Sequence, residues 1–313
     1  MIIENLRLTP FARLTKERTV HYVIVNETHL KGKGLKILNE VLSVFDGADL
    51  KYEVLKTQKR GDAKRYTEKV TSTGEKNTVI VMGGDGTVHD VLNGFADFDN
   101  CELGIIPFGT GNDFAEGAGI PLDAKKAAEL IVNGTARPID FIQLASGLRS
   151  INSVGMGIDV DVLKRTYSSG EKGKGKYLSA LISALKNFEA YDFTMVYDGK
   201  EEKHHGLIAA VGNGRLFGGG IKIFPHAKID DGLMDVIIVD YISKARIPAA
   251  FAKLMAGKVD KIKKATTFTA KSVKFINDSE PYTIQAEGEL YDDVPIDARV
   301  AEGKLRLYLP QSK

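Results

Sequence analysis

An α/β domain followed by an all-β domain is the fold class that this sequence predicts. The N-terminal parallel-sheet domain should span residues 1–140 and an antiparallel β-sandwich residues 141–313. Three observations predict it. The first 140 residues alternate continuous apolar runs with stretches of helical periodicity. After Asp140 the texture changes to short β-rich runs separated by turns. The chain, at 313 residues, also exceeds what one core usually serves, since single cores stop growing near roughly 250–300 residues.

The elements follow in order. "VHYVIVN" (20–26) is a continuous apolar run, as in a strand buried on both faces. "GLKILNEVLSVF" (34–45) sets Leu38, Val41, Leu42 and Phe45 on one helical face. "KYEVLKT" (51–57) reads as a strand and "DAKRYTEKVTSTG" (62–74) as a helix ending at glycine. "NTVIVMGG" (77–84) and "LGIIPFG" (103–109) are buried strands. Between them "TVHDVLNGFA" (87–96) stripes Val88, Val91, Leu92 and Phe95 along a helix. "LDAKKAAELIVNG" (122–134) is a helix stopped at Asn133-Gly134. This alternation predicts a parallel sheet covered by helices on both faces, whose ligands sit beyond the strands' carboxyl ends. In the second half, "YDGK" carries an Asp-Gly hairpin signal. Two helices are expected among the strands there, over 176–188 and 244–257.

Composition excludes several classes. Hydrophobic content of 43% and charged content of 27% are those of an ordinary globular protein. A net charge of +2 lacks the basic excess of a nucleic-acid binder. No apolar run reaches the length of a membrane span, and the N-terminus lacks a secretion signal. Cys101 is the single cysteine, so no internal disulfide forms, and a cytoplasmic location is expected. The six histidines form no zinc-ligand spacing, and His204-His205 reads as a solvated pair in a charged stretch.

"VMGGDGTVHDVLNG" carries the chemistry. Gly83, Gly84 and Gly86 follow a strand and open a helix, where free N–H groups and the positive end of the helix dipole favour an anion. Their expected use is backbone with φ > 0 and close approach to a ligand. A tight turn with no ligand is the alternative, but three glycines in four positions exceed what a turn needs. Neither the dinucleotide nor the Walker glycine pattern is present. Asp85 would repel a bare phosphate. It makes sense either with Mg²⁺ bridging it to a nucleotide or as a helix cap. "PFGTGNDFA" (107–115) repeats the arrangement one strand along, with Gly109, Thr110, Gly111, Asn112 and Asp113. Two such loops side by side make one site.

In "GGDGTVHDVLNG" and "PFGTGNDFA" the chain resembles the diacylglycerol kinase catalytic domain family, in particular the soluble bacterial lipid kinases. "VGNGRLFGGGIKIFPHAKIDDGLMDV" (211–236) and "QAEGEL" (285–290) are similar to further family stretches in the same order. The resemblance implies transfer of the ATP γ-phosphate to a lipid hydroxyl, diacylglycerol first, in a cleft between a nucleotide domain and a β-rich lipid-facing domain. It implies ATP contacts from Gly84, Asp85, Gly86, Thr87, Val88, His89 and Asp90, from Thr57, and from Thr110 with Asn112 and Asp113. The family's Asn-Pro-x-x-Gly loop is here "NETHLKGKG", so Asn26 keeps its place but the proline is absent. Lys31 or Lys33 is either a phosphate contact there or a surface lysine.

Glu289 matches the family's proton acceptor, with Asp85 beside it as the second catalytic carboxylate. Glu287 stands where an Asp is expected. Read without the family, "AEGE" is a hairpin turn with two solvated acids. Lys228, Asp231 and Leu233 match a Mg²⁺ site that uses two backbone carbonyls, separate from any nucleotide-bound Mg²⁺. Asp85, Asp113 and Asp140 are expected to form a carboxylate network around catalytic Mg²⁺. His89 and Asp90 replace the family's usual Asn and Glu, as changes on a helix face or as a lost nucleotide contact. The expected partners are a lipid at the inner membrane surface and, left open, a second copy in a homodimer. "GEKGKGKYLSALISALKNF" (170–188) either meets anionic lipid or packs on the sheet. The rival functions are an NAD kinase, which shares the Gly-Gly-Asp-Gly loop, and a nucleotide- or lipid-sensing module without turnover.

Overall fold

The computed structural model describes residues 19–169, 183–184, 189–277 and 282–311. The first half runs β1 (Val20–Asn26), α1 (Lys33–Gly47), β2 (Tyr52–Thr57), α2 (Asp62–Thr71), β3 (Asn77–Gly83), α3 (Asp85–Gly94), β4 (Cys101–Pro107), α4 (Asp113–Gly117) and α5 (Ala124–Asn133). The second half runs β5 (Ala136–Leu144), β6 (Arg149–Ser150), β7 (Ser153–Gly157), α6 (Ile158–Ser169), β8 (Tyr191–Tyr197), β9 (Lys200–Gly212), β10 (Met234–Asp240), α7 (Ile247–Met255), β11 (Ala265–Ala270), β12 (Ser272–Asn277), β13 (Thr283–Ala286), β14 (Glu289–Asp292) and β15 (Ile296–Tyr308).

Strands β4, β3, β1 and β2 lie side by side in that order, all parallel. The chain moves one way from β1 to β2 and the other way to β3, so the strand order reverses at β1. That reversal opens a crevice at the carboxyl ends. All seven residues of β3 are buried, which is why its sequence is a continuous apolar run. Helix α1 buries Leu38, Val41 and Phe45, and α3 buries Val88, Val91 and Leu92, the faces that the helical periodicity marks.

The second half is an antiparallel β-sandwich. Along β9, Ala209 and Val211 enter one core with Met195, Phe275 and Ile284, whereas Ile208 and Ala210 enter another with Phe217 and Phe224. Alternation along the strand sends neighbours to opposite faces. The hairpin at Asp198-Gly199 has the expected left-handed pair, φ 48° and 72°. The last strand, β15, pairs antiparallel with β12 and β5, then runs parallel to β4 through Arg306↔Glu102 and Leu307↔Leu103. It stitches the two sheets together.

Residues 158–169 form α6, a helix beyond the two that the sequence predicts in this half. Ile158, Val160 and Val162 alternate with Asp159 and Asp161, a period-2 pattern, yet Asp159 is as buried as the valines. The expected helix over 176–188 and the lysine-rich stretch 170–176 lie outside the described residues, apart from Ser183 and Ala184.

Candidate active site

The two glycine loops touch. A Cβ on Gly109 would stand 2.4 Å from Gly84 Cα, and one on Gly84 would stand 3.0 Å from Gly109 Cα. The glycines therefore serve close approach. None of Gly83, Gly84 and Gly86 has positive φ, contrary to the sequence expectation; the left-handed residue is Asn112, at φ 58°. Asn112 holds its own loop closed, since its Oδ1 accepts from Gly109 N and its Nδ2 donates to Gly109 O. Thr110 is exposed at the loop's tip.

Asp85 opens α3, yet Gly84 is the N-cap and receives no side-chain bond. The Asp85 carboxylate instead spans the two loops. Its Oδ1 accepts from Phe114 N at 3.4 Å, and its Oδ2 lies 2.7 Å from where a Gly111 Cβ would be. The cap reading of Asp85 is thereby set aside. Asp113 is buried, and its Oδ2 accepts from Gly219 N at 2.7 Å, which ties the triple-glycine stretch to the second loop.

Opposite the glycines stands a hairpin from the far end of the chain. Strands β13 and β14 are joined by Glu287-Gly288, both left-handed at φ 54° and 78°. Geometrically the stretch is the hairpin turn that its residues suggest. Its acids, however, are not solvated. Glu287 is buried and accepts from Ser150 Oγ and Asn152 N; burial outweighs these bonds and pushes its carboxyl up to about 8. Glu289 is half-buried, with Oε1 3.5 Å from where a Gly86 Cβ would lie. Burial raises its carboxyl, Arg60 pulls it back and Asp90 pushes it up again. Arg60 Nη2 donates to Glu289 Oε2 at 2.8 Å.

Between loops and hairpin opens a cleft of about 1270 Å³, lined by Gly84, Gly86, Thr87, Asp90, Thr110 and Glu289 among others. Lys33 joins the lining from the first residue of α1, whereas Lys31 does not. Other expected contacts are spent elsewhere. Asn26 Oδ1 accepts from Thr28 N and Thr28 Oγ1, capping a short turn, and Thr57, its register partner, is buried. The Val88 and His89 side chains are buried beneath α3. His89 Nε2 meets Tyr291 Oη at 2.6 Å, so this residue is a packing link and not a neutral change on a helix face.

The expected network of Asp85, Asp113 and Asp140 does not assemble. Asp140 is buried, and its two oxygens accept from Gly303 N and Gly232 N. Among the described residues no three His, Cys, Asp or Glu side chains group as metal ligands. Asp231 Oδ1 accepts from Leu233 N, and the charge of Asp231 adds to burial in raising the Asp140 and Asp235 carboxyls, the latter to about 6. His204 also departs from expectation. Its ring stacks on Phe193 and its Nδ1 lies 2.9 Å from Asp240 Oδ1, whereas His205 remains exposed.

Sequence reasoning missed Arg60. The one available signal was its position, third in the four-residue loop that starts at the carboxyl end of β2, where a doubly wound sheet binds its ligand. It also missed the Ser150–Asn152 cradle of Glu287, because nothing local to "SIN" announces a partner 137 residues away.

Comparison with known proteins follows the same lines. Residues 21–144 match the diacylglycerol kinase catalytic domain, and residues 152–309 match the YegS C-terminal NAD kinase beta sandwich-like domain. A probable lipid kinase YegS-like of Enterobacter sp. (strain 638) is 32% identical over 230 residues, 72% of this chain and 76% of that protein. A diacylglycerol kinase of Bacillus subtilis (strain 168) is 31% identical over 274 residues, 85% of this chain and 88% of its own. The crystal structure of a candidate diacylglycerol kinase from Bacillus anthracis str. Sterne superposes with a TM-score of 0.79 at 27% identity, covering 95% of this chain and 99% of that one.

Proposed function

This chain belongs to the diacylglycerol kinase catalytic domain family, and on that premise we propose that it transfers the γ-phosphate of ATP to a lipid hydroxyl, diacylglycerol being the leading acceptor. One observation carries the reading: two glycine loops in backbone contact face a half-buried carboxylate, Glu289, across an open cleft. We assign nucleotide binding to residues 1–140 and lipid contact to 141–313. In the loops, Thr87 N and Val88 N turn back to Gly84 O, while the N–H groups of Asp85 and Gly86 meet no acceptor among the described residues. Free amides at a helix N-terminus suit phosphate oxygens.

Asp85 fits a bound Mg²⁺, because its Oδ2 receives no hydrogen bond among the described residues and a carboxylate beside phosphates needs a cation between. Bound there, Mg²⁺ would neutralise charge on the triphosphate. We assign the second Mg²⁺ to Asp231 with the Lys228 and Leu233 carbonyls, a hard-oxygen set. Glu289 takes the proton of the acceptor hydroxyl as the new P–O bond forms. Its raised pKa brings it nearer to working pH, which favours a base. Support for a greasy acceptor comes from an apolar cavity of about 90 Å³ in the second half, lined by Phe217, Ile223, Phe251 and Leu254. Among the described residues no helix is long and apolar enough to cross a membrane. A kinase that draws on ATP and a lipid works in the cytoplasm, touching the inner membrane face, and we assign the protein there.

The test is transfer of label from ATP to a lipid panel containing diacylglycerol, and to NAD, by wild type and Glu289→Gln. Wild type should label a lipid, and the variant should bind ATP but label nothing. Labelled NAD would make the chain an NAD kinase, and ATP binding without product on any acceptor would make it a sensor. Equal turnover by both proteins would remove Glu289 as the base.

A further inference from the structure

Arg60 faces two jobs. Its backbone is fixed: Asp62 Oδ2 accepts from Gln58 N and Lys59 N, Asp62 Oδ1 accepts from Arg65, and Gly61 turns left-handed at φ 82°. Its side chain is free to swing, being 78% exposed. From this fixed base it reaches the wall of the cleft opposite its own and bonds Glu289, 229 residues further along the chain. It engages Oε2 alone, while Oε1 is turned to Gly86. The guanidinium, the proposed base and the empty glycine cradle therefore lie in one row, all of them lining the cleft.

We infer that Arg60 is a phosphate-responsive positioning residue: it holds Glu289 while the cleft lacks a triphosphate, and moves onto the terminal phosphate when nucleotide binds. This rests on the kinase reading above. The exchange is downhill for physical reasons. An ion pair this exposed is weak and screened by salt. A terminal phosphate carries more charge and offers paired oxygens that the guanidinium fork matches. The move leaves Glu289 with burial and its other neighbours. Those are Asp90 from α3, Tyr167 from α6, whose Oη donates to Gly288 O, and Tyr291 with the buried Glu287 from the hairpin. Of the groups acting on Glu289, Arg60 lowers its pKa. Withdrawing it makes Glu289 a stronger base at the moment a hydroxyl must be deprotonated. A base held by Arg60 in the empty cleft is also less available to activate water there.

Calorimetry separates this from a surface ion pair. Wild type, Arg60→Gln and Arg60→Lys are titrated with ATP and with ADP, each with Mg²⁺. Arg60→Gln should lose about tenfold in ATP affinity and less than twofold in ADP affinity, and Arg60→Lys should recover part of the loss by keeping the charge without the fork. The pH profiles give a second readout. With Arg60→Gln the acid limb of kcat/KM for ATP, which reports the enzyme before ATP binds, should move to higher pH. The limb of kcat should stay, because Arg60 has already left Glu289 in the complex. Unchanged ATP affinity, an equal loss for ATP and ADP, or equal movement of both limbs overturns the exchange while leaving the kinase reading intact. Absence of nucleotide binding by the wild type would overturn that reading itself.

Discussion

His89 and Tyr291 meet with 2.6 Å between Nε2 and Oη, although 202 residues separate them. His89 lies under α3, the helix that the first glycine loop opens, and Tyr291 lies on β14, two residues beyond Glu289. Residues two apart on a strand share a face. Glu289 therefore lies over Gly86 as Tyr291 lies over His89, and Gly86 and His89 are one helical turn apart. The hairpin is laid along α3 by this second contact.

The pair should be visible in stability. Burial, followed by the charges of Lys64 and Arg60, lowers the His89 pKa to about 4. A histidine whose folded pKa lies below its unfolded value near 6.5 contributes stability that is present above pH 6.5 and lost as pH falls toward 4. His89→Ala should destabilise by about 1–3 kcal/mol, since it leaves the Tyr291 hydroxyl half-buried without a partner. Denaturant melts of His89→Ala, Tyr291→Phe and the double variant check the coupling. Strict additivity would mean that the two residues do not act together.

Glu287 predicts the opposite pH trend. Its carboxyl is pushed up to about 8, chiefly by burial. With the folded pKa above the unfolded one, its contribution is fully present below about pH 4.5 and is lost as pH rises through 8. The slope from one such group is at most about 1.4 kcal/mol per pH unit. Glu287→Gln keeps the shape and removes the titration. Thermal melts from pH 5 to 9 should fall less steeply for the variant, and parallel curves would show that Glu287 does not titrate in this window.

These two residues also mark how far sequence reading reaches. The strands β1, β3 and β4 were legible because burial on both faces writes a continuous apolar run, as in Val79, Ile80 and Val81. The α3 stripe of Val88, Val91 and Leu92 was legible from its period. The two loops were legible as a pair, but not the reason for their glycines. Backbone contact between Gly84 and Gly109 joins strands that sequence spacing does not align. What makes Glu287 buried, His89 a link and Arg60 a partner of Glu289 is contact across 137, 202 and 229 residues. Such contacts leave no local pattern. Helix α6 was not legible either, because "IDVDV" alternates with a period of two and not with that of a helix, while its Asp159 is buried with the valines.

Gly109→Ala tests the loop contact directly. The added methyl would stand 2.4 Å from Gly84 Cα and 3.0 Å from Gly84 N, backbone atoms that no rotamer change can move aside. The two loops must part, and the amides of Asp85 and Gly86 move with them. Overpacking of this kind costs about 1–3 kcal/mol. Gly109 sits at the exposed tip of its turn, outside the core of the sheet, so the protein should remain folded. ATP affinity measured by calorimetry should fall by at least about tenfold, equivalent to about 1.4 kcal/mol, with the melting temperature lowered by a few degrees. Gly119→Ala is the control: Gly119 has positive φ, at 75°, but nothing lies within 4 Å of an added methyl. It should lower the melting temperature through backbone strain and leave ATP affinity unchanged. If Gly109→Ala binds ATP as tightly as wild type, the paired loops are a packing feature and the triphosphate lies elsewhere.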